Sequence, residues 1–115
     1  MKKCNSDIWF SVKANIESKI ISGEYRVGDK IPTMIEMMKI YGIGRTTAQR
    51  VIDSLADDEI IVKRVQAGSF VLPDAPEKIS KKRQATIEEQ FRTLVEVASN
   101  WGMEKNELME LISKL

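Results

Sequence analysis

Residues 33–55, TMIEMMKIYGIGRTTAQRVIDSL, contain the pattern that decides the fold of this chain. Thr33 and Glu36 have the T-x-x-E spacing of a capping box, in which each side chain bonds a backbone N–H at a helix start. Gly42 supplies the left-handed turn that ends this helix. A second helix then carries four apolar residues at i, i+3, i+4 and i+7: Ala48, Val51, Ile52 and Leu55. The stretch predicts two helices joined by a tight turn, which is a helix–turn–helix.

The opposite side of the second helix begins with hydrogen-bond donors. They are Arg45, Thr46, Gln49 and Arg50. Donors crowded at the start of such a helix suit insertion into a DNA major groove. Arginine and threonine are also common on exposed helices, so a merely solvated surface is the alternative, but the helix–turn–helix frame favours DNA. Asp53 lies one turn beyond Gln49 and limits the DNA-facing surface to the first two turns.

The segments on either side complete a winged helix–turn–helix. Before the stretch, helical spacing of apolar residues predicts a first helix that ends at Gly23: Ile8, Val12, Ile16 and Ile20. After it, residues 60–65 and 69–72 are short runs rich in β-branched and aromatic side chains. They predict a β-hairpin with its tip at Gly68, where a backbone can approach a partner closely.

Pro73 and Pro76 predict a linker after the hairpin. It divides the chain into a winged helix–turn–helix domain, residues 1–74, and a C-terminal helical region, residues 75–115. The predicted fold class is mainly α with a small β-hairpin. Because two amphipathic helices cannot close a core of their own at this size, the C-terminal region must pack on the first domain, on a second copy, or on both.

The C-terminal region carries apolar residues at spacings of 4, 3, 4 and 3. These residues, called the apolar seam below, are Ile87, Phe91, Leu94, Ala98 and Trp101. The spacing is typical of one helix packing against others. Asn100 and Gly102 end this helix, and a second, shorter one contains Leu108, Leu111, Ile112 and Leu115. We expect the seam, with Leu108 and Ile112, to form a dimer contact.

Composition argues against an enzyme. The 115-residue chain has no histidine, the commonest general base and metal ligand, and only one cysteine, Cys4. No glycine pattern matches a phosphate-binding loop, and we interpret Asp57, Asp58 and Glu59 as a solvated helix end rather than a metal site. We therefore expect no catalysis, no cofactor and no metal. Without a membrane span or signal peptide in the sequence, the expected location is the cytoplasm.

Net charge gives DNA binding only modest electrostatic help. The chain carries 18 Lys or Arg and 17 Asp or Glu, and the two regions are each nearly neutral. Positive charge is local: no acid lies between Arg45 and Arg50, and Lys63 and Arg64 form a second basic pair. That pair predicts either a phosphate contact or a charged strand edge.

An ordered set of short motifs runs through residues 8–73. It consists of Ile20 or Ile21 with Gly23, then Gly28-Asp29-Lys30-Ile31-Pro32-Thr33, then Gly44-Arg45-Thr46-Thr47 with Leu55, and finally Gly68-Ser69-Phe70-Val71. No single piece is decisive, but the ordered set resembles the DNA-binding domain of the GntR family of bacterial transcriptional regulators. In that family the arginine and threonines that begin the recognition helix contact bases and phosphates.

The resemblance implies those roles for Arg45, Thr46 and Thr47, with the wing glycine at Gly68. The full set of candidate DNA-contacting residues is Thr33, Arg45, Thr46, Thr47, Gln49, Arg50, Lys63, Arg64 and Gly68. The implied partner is a double-stranded DNA operator.

Four positions depart from the family pattern. Ile35 and Gln49 stand where relatives often carry arginine, Gly44 replaces a capping Ser, Thr or Asn, and Glu59 replaces a glycine. The DNA sequence read by relatives therefore does not transfer to this chain. Gln49 can pair bidentately with adenine, where an arginine would favour guanine.

The C-terminal layout resembles the YtrA-type subfamily, in which a short pair of helices serves for dimerisation. The resemblance implies a homodimer on a pseudo-palindromic operator, most simply as a repressor, and control of an ABC-type transporter operon. Two alternatives stay open. The winged helix can be a protein-interaction module that docks an acidic partner, or the regulator can sense a small-molecule effector in a pocket between the two parts, lined by Trp101 or Trp9.

Overall fold

The computed structural model of the protein describes residues 5–115, so Cys4 lies outside the described residues. The elements in chain order are α1 (Asn5–Ser22), α2 (Met34–Tyr41), α3 (Arg45–Asp57), β1 (Ile61–Arg64), β2 (Gly68–Val71), α4 (Ala75–Asn100) and α5 (Lys105–Ser113). Helices dominate and the two strands form an antiparallel sheet, which confirms the predicted fold class. The chain divides into two compact units: the first ends at Ser80 and the second is Lys81–Leu115.

The helix–turn–helix forms as its sequence predicts. The Glu36 N–H donates to the Thr33 hydroxyl at 3.2 Å, and the Thr33 N–H donates to Glu36 Oε1 at 2.9 Å, which completes the capping box. The bonds to the backbone and side chain of Thr33 lower the pKa of Glu36. Gly42 is left-handed, with φ of 63°. Gly44 is the N-cap of α3 and offers no side-chain hydrogen bond, so the first N–H groups of α3 have no side-chain cap.

The core of the first unit is built from the apolar faces of α1, α2 and α3. Its buried helical residues include Val12, Ile16, Ile20, Met37, Ala48, Val51, Ile52 and Leu55. Lys13 of α1 is also buried, and its ammonium donates to Ser54 Oγ at 2.8 Å and to Asp58 Oδ2 at 2.6 Å. Its charge is therefore paired, as a buried cation requires. Asp58, interpreted from the sequence as part of a solvated helix end, is exposed but connects the end of α3 to α1.

The hairpin follows α3 as predicted, but its tip is displaced. Arg64 pairs with Gly68 at the end of the ladder, and residues 65–67 form the loop. The prediction of a tip at Gly68 was wrong because Gln66 adopts the left-handed conformation, with φ of 61°, that the turn requires. Gly68 instead begins β2.

Gly68 nevertheless permits a close approach. A β-carbon at this position would lie 2.5 Å from Cε of Lys30, and the Gly68 φ is 108°. The Lys30 segment runs alongside β2: the Ile31 N–H donates to the Ser69 carbonyl and the Val71 N–H to the Asp29 carbonyl, each at 2.9 Å. The connection between α1 and α2 thus supports the outer side of β2.

The expected linker after the hairpin is not present. α4 begins at Ala75 and contains Pro76 in its first turn, where the missing N–H of proline costs no helical hydrogen bond. Ala75 and Ile79 are fully buried in the core of the first unit. The prediction of a linker at Pro73–Pro76 was wrong because a proline in this position starts a helix as readily as it marks a loop.

The second unit contains most of α4, and α5. α4 ends at Asn100, Gly102 is left-handed with φ of 83°, and α5 begins at Lys105. Ala98 and Leu108 are buried, with 8% and 6% of their surface exposed. The other predicted dimerisation residues are exposed, from 39% at Ile112 to 83% at Trp101: Ile87, Phe91, Leu94, Trp101 and Ile112.

Glu59 occupies a strained backbone position directly after the C-cap of α3. Its φ is 58°, although it is not glycine, and its Oε2 lies 3.0 Å from Lys78 Nζ. A β-carbon in the left-handed region costs roughly 1–2 kcal/mol.

We expect Glu59→Gly to be about 1 kcal/mol more stable than Glu59→Ala, measured by urea unfolding. Both variants lose the exposed ion pair with Lys78, so their difference reports the strain of the β-carbon less the extra conformational entropy that glycine loses on folding. Equal unfolding midpoints for the two would contradict the assigned strain.

Candidate nucleic-acid interface

The exposed side of α3 brings the predicted donors together. Arg45, Thr46, Gln49 and Arg50 are exposed on its first two turns, and Thr47 is half-buried. With Trp9 of α1 and Met34 of α2, the four exposed residues line one open concave surface. The four apolar residues on the other side of α3 are buried, which fixes the orientation of the helix and leaves these polar side chains outward.

Arg50 is held by an aromatic ring whose place in the site does not follow from the sequence pattern. Its guanidinium carbon lies 4.3 Å from the ring centroid of Trp9, which is cation–π distance. Phe10 packs edge-on against Trp9, with centroids 5.6 Å apart. The sequence places Trp9 next to Ile8 on a predicted amphipathic helix. Only the packing of α1 on α3 shows that the Trp9 ring contacts Arg50.

Asp53 joins α3 to the wing. Its Oδ1 accepts a hydrogen bond from Gln49 Nε2 at 2.9 Å and another from the Lys63 ammonium on β1. The Lys63 bond, with a smaller effect from Gln49, lowers the pKa of Asp53. Asp53 therefore stays ionised through the neutral range. The sequence placed it only as the limit of the DNA-facing surface, whereas the structure makes it a partner of two candidate DNA-contacting residues.

The remaining candidates lie on the wing and at the start of α2. Arg64 is exposed on β1, with its guanidinium carbon 5.7 Å from the ring centroid of Phe70, and it pairs with Gly68 across the hairpin. Thr33 is half-buried, and its hydroxyl oxygen is used by the capping box, although its hydroxyl hydrogen can still be donated. The structure thus groups five candidates on α3 and three on the wing, with Thr33 at the helix preceding α3.

A helix–turn–helix with a β-hairpin wing and an exposed polar face on its second helix defines a winged helix–turn–helix DNA-binding protein. Residues 11–71, more than half of the chain, match the family described as "Bacterial regulatory proteins, gntR family". The chain belongs to this family, so it is a DNA-binding transcriptional regulator of the GntR type. The family and fold are those of regulators rather than of enzymes.

Two curated relatives match the winged helix–turn–helix part. The histidine utilization repressor of Klebsiella aerogenes is 37% identical over 60 residues, which are 52% of this chain and 25% of that protein. The arabinose metabolism transcriptional repressor of Halalkalibacterium halodurans is 33% identical over 78 residues, 66% of this chain and 21% of that protein. This chain therefore spans no more than a quarter of the length of either relative.

Solved structures extend the likeness to the whole fold. A GntR family transcriptional regulator from Listeria monocytogenes has a TM-score of 0.77 at 22% identity, over 94% of both chains. The AraR DNA-binding domain in complex with operator ORR3 has a TM-score of 0.54 at 31% identity, over 56% of this chain and 77% of that one.

Across residues 5–115, no helix has the length and apolar character to cross a membrane.

Proposed function

We propose that this protein is a transcriptional repressor that binds a pseudo-palindromic operator as a homodimer. The observation that carries the proposal is the exposed face of α3, on which Arg45, Thr46, Gln49 and Arg50 stand together over a buried apolar stripe. Both curated relatives are named as repressors, and AraR was solved on its operator, which supports the same mode here.

Side-chain chemistry suggests a division of roles in the complex. Arg45 and Arg50 can read guanine through its O6 and N7 or bind phosphate, and Gln49 can read a base edge. Thr46, Thr47 and Thr33 are suited to phosphate oxygens. On the wing, Arg64 and Lys63 are candidates for phosphate. Gly68 is a candidate only through its backbone, because the Lys30 side chain occupies the space where its β-carbon would lie. In this division α3 specifies the sequence and the wing fixes the position of the protein on the duplex.

Dimerisation is proposed through the second unit. The exposed members of the apolar seam and Ile112 give α4 and α5 an apolar face that a second copy can cover, while Ala98 and Leu108 already pack within the unit. A two-fold dimer doubles the base contacts and requires half-sites about 34 Å apart, one helical turn of DNA. We assign DNA binding to residues 1–74 and dimerisation to residues 75–115, of which Ala75 and Ile79 at the start of α4 belong to the core of the first unit.

The wider biological role is proposed from the resemblance to YtrA-type regulators. The regulated genes would include a transporter operon, and the repressor would act in the cytoplasm, where the bacterial chromosome lies. A protein-interaction module is the second candidate function, favoured by the net charge of only +1.

Selection of binding sites from random duplex DNA tests the proposal. We expect a pseudo-palindrome with half-sites one helical turn apart, and an affinity that falls steeply with salt because phosphate contacts release counterions. Each phosphate contact contributes about 0.9 to the slope of log K against log salt. As a control, the salt dependence of binding is measured again with an acidic protein in place of DNA. No enriched sequence and a flat salt dependence would favour the interaction module instead.

A further inference from the structure

The network of Gln49, Asp53 and Lys63 determines which end of the Gln49 amide faces outward. A carboxylate only accepts hydrogen bonds, so the amide nitrogen must face Asp53, where it lies 2.9 Å from Oδ1. The carbonyl oxygen Oε1 is then the end directed away from Asp53. Lys63 donates to the same carboxylate oxygen from β1, so Asp53 is held from the wing as well as from its own helix.

We propose that Asp53 is a positioning residue for base recognition. It holds Gln49 so that Oε1 accepts a hydrogen bond from the exocyclic amino group of a base in the major groove. Only adenine and cytosine present an amino group there, so one position of each half-site selects adenine or cytosine against guanine and thymine. The inference rests on the proposed function, because it requires α3 to lie in the major groove.

Lys63 makes an acidic side chain tolerable at this place. An isolated carboxylate near the first two turns of α3 would repel phosphates and base acceptors, whereas the ammonium of Lys63 compensates its charge. About half of each side chain is exposed, so the pair contributes little to folding stability. Its main effect is on the charge of the surface that faces DNA. Replacement of Asp53 should therefore leave the fold intact.

Site selection from random duplex DNA tests the proposal with four proteins: the wild type, Asp53→Ala, Asp53→Asn and Gln49→Ala. The wild type should select adenine or cytosine at one position per half-site. Asp53→Ala and Gln49→Ala should both lose that preference by about fivefold at the same position, as expected for one hydrogen bond. Asp53→Asn keeps an oxygen acceptor and should retain the preference. The positions read by Arg45 are the internal control and should stay unchanged.

A second measurement needs no DNA. In the free protein, Asp53→Ala should shift the NMR resonances of the Gln49 side-chain amide. The proposal is overturned if those resonances do not move, if Asp53→Ala keeps the wild-type preference, or if it weakens every position equally. If the wild type selects an operator and Asp53→Ala keeps the wild-type preference at this position, the role of Asp53 is overturned and the proposed function is not. A wild type that selects no site overturns the proposed function and this inference with it.

Discussion

Replacement of Arg45 by alanine is expected to abolish most of the operator affinity while leaving the fold unchanged. Arg45 is the first residue of α3 and is exposed. A cation at a helix N-terminus opposes the helix dipole, so Arg45 does not stabilise α3 by its position, and alanine there is neutral or slightly stabilising. Its presence is better explained by a partner outside the protein.

The expected loss is about 1–3 kcal/mol for each base contact, or roughly 2–6 kcal/mol for a dimer that makes the contact twice. This corresponds to about a 30-fold loss or more in operator affinity. Fluorescence anisotropy with the selected operator measures it, and thermal unfolding checks the fold. Arg92→Ala, an exposed arginine on α4, is the matched control and should bind as the wild type does. Equal affinities for the two variants would remove Arg45 from the interface.

The local signals in the sequence predict the helix–turn–helix because each acts over a few residues. The capping box of Thr33 and Glu36, the left-handed Gly42 and the buried stripe of α3 all appear as predicted. These features depend on backbone donors and on one helical period, and both can be read directly from the order of residues.

The side-chain contacts between different elements could not be predicted in the same way. The bond between Lys63 and Asp53 joins residues 10 apart in sequence, and the Lys13–Asp58 pair joins residues 45 apart. Such contacts depend on how α1 and β1 pack against α3, which no periodicity specifies. For the same reason, the sequence does not show that Trp9 supports Arg50.

The start of α4 shows a different limit. Pro76 reads equally well as a linker residue or as part of a first helical turn, and the burial of Ala75 and Ile79 decides between the two. That burial depends on space left in the core by the first three helices and the hairpin. Tertiary packing therefore sets where the first unit ends, some residues beyond the second proline.

The second large effect is expected at the apolar seam, where Phe91→Asp should convert the proposed homodimer to a monomer. Phe91 is 46% exposed in the single chain, so an aspartate there costs the isolated protomer little. In a dimer the same position would bury a charge and lose an aromatic side chain worth about 1.5–3 kcal/mol per copy. We expect the dimer dissociation constant to rise at least about 100-fold, measured by sedimentation equilibrium.

Thr93→Asp is the matched control, because it adds the same charge to an exposed position of α4 outside the apolar seam. It should dissociate and bind DNA as the wild type does. If Phe91→Asp and Thr93→Asp have the same mass in solution as the wild type, the seam does not form the dimer.

Half-site DNA separates the two contributions to operator binding. A net charge of +1 gives each protomer little non-specific attraction to DNA, so a single α3 must rely on its few base contacts. Covalent or non-covalent linkage of two such modules makes the second binding event intramolecular, which raises affinity without any new contact. Phe91→Asp should therefore bind an isolated half-site as tightly as the wild type and lose only the advantage of the full operator. A loss that is equal on half-site and full-site DNA would show that the substitution damages the DNA-binding face, and dimerisation would then not be the source of operator affinity.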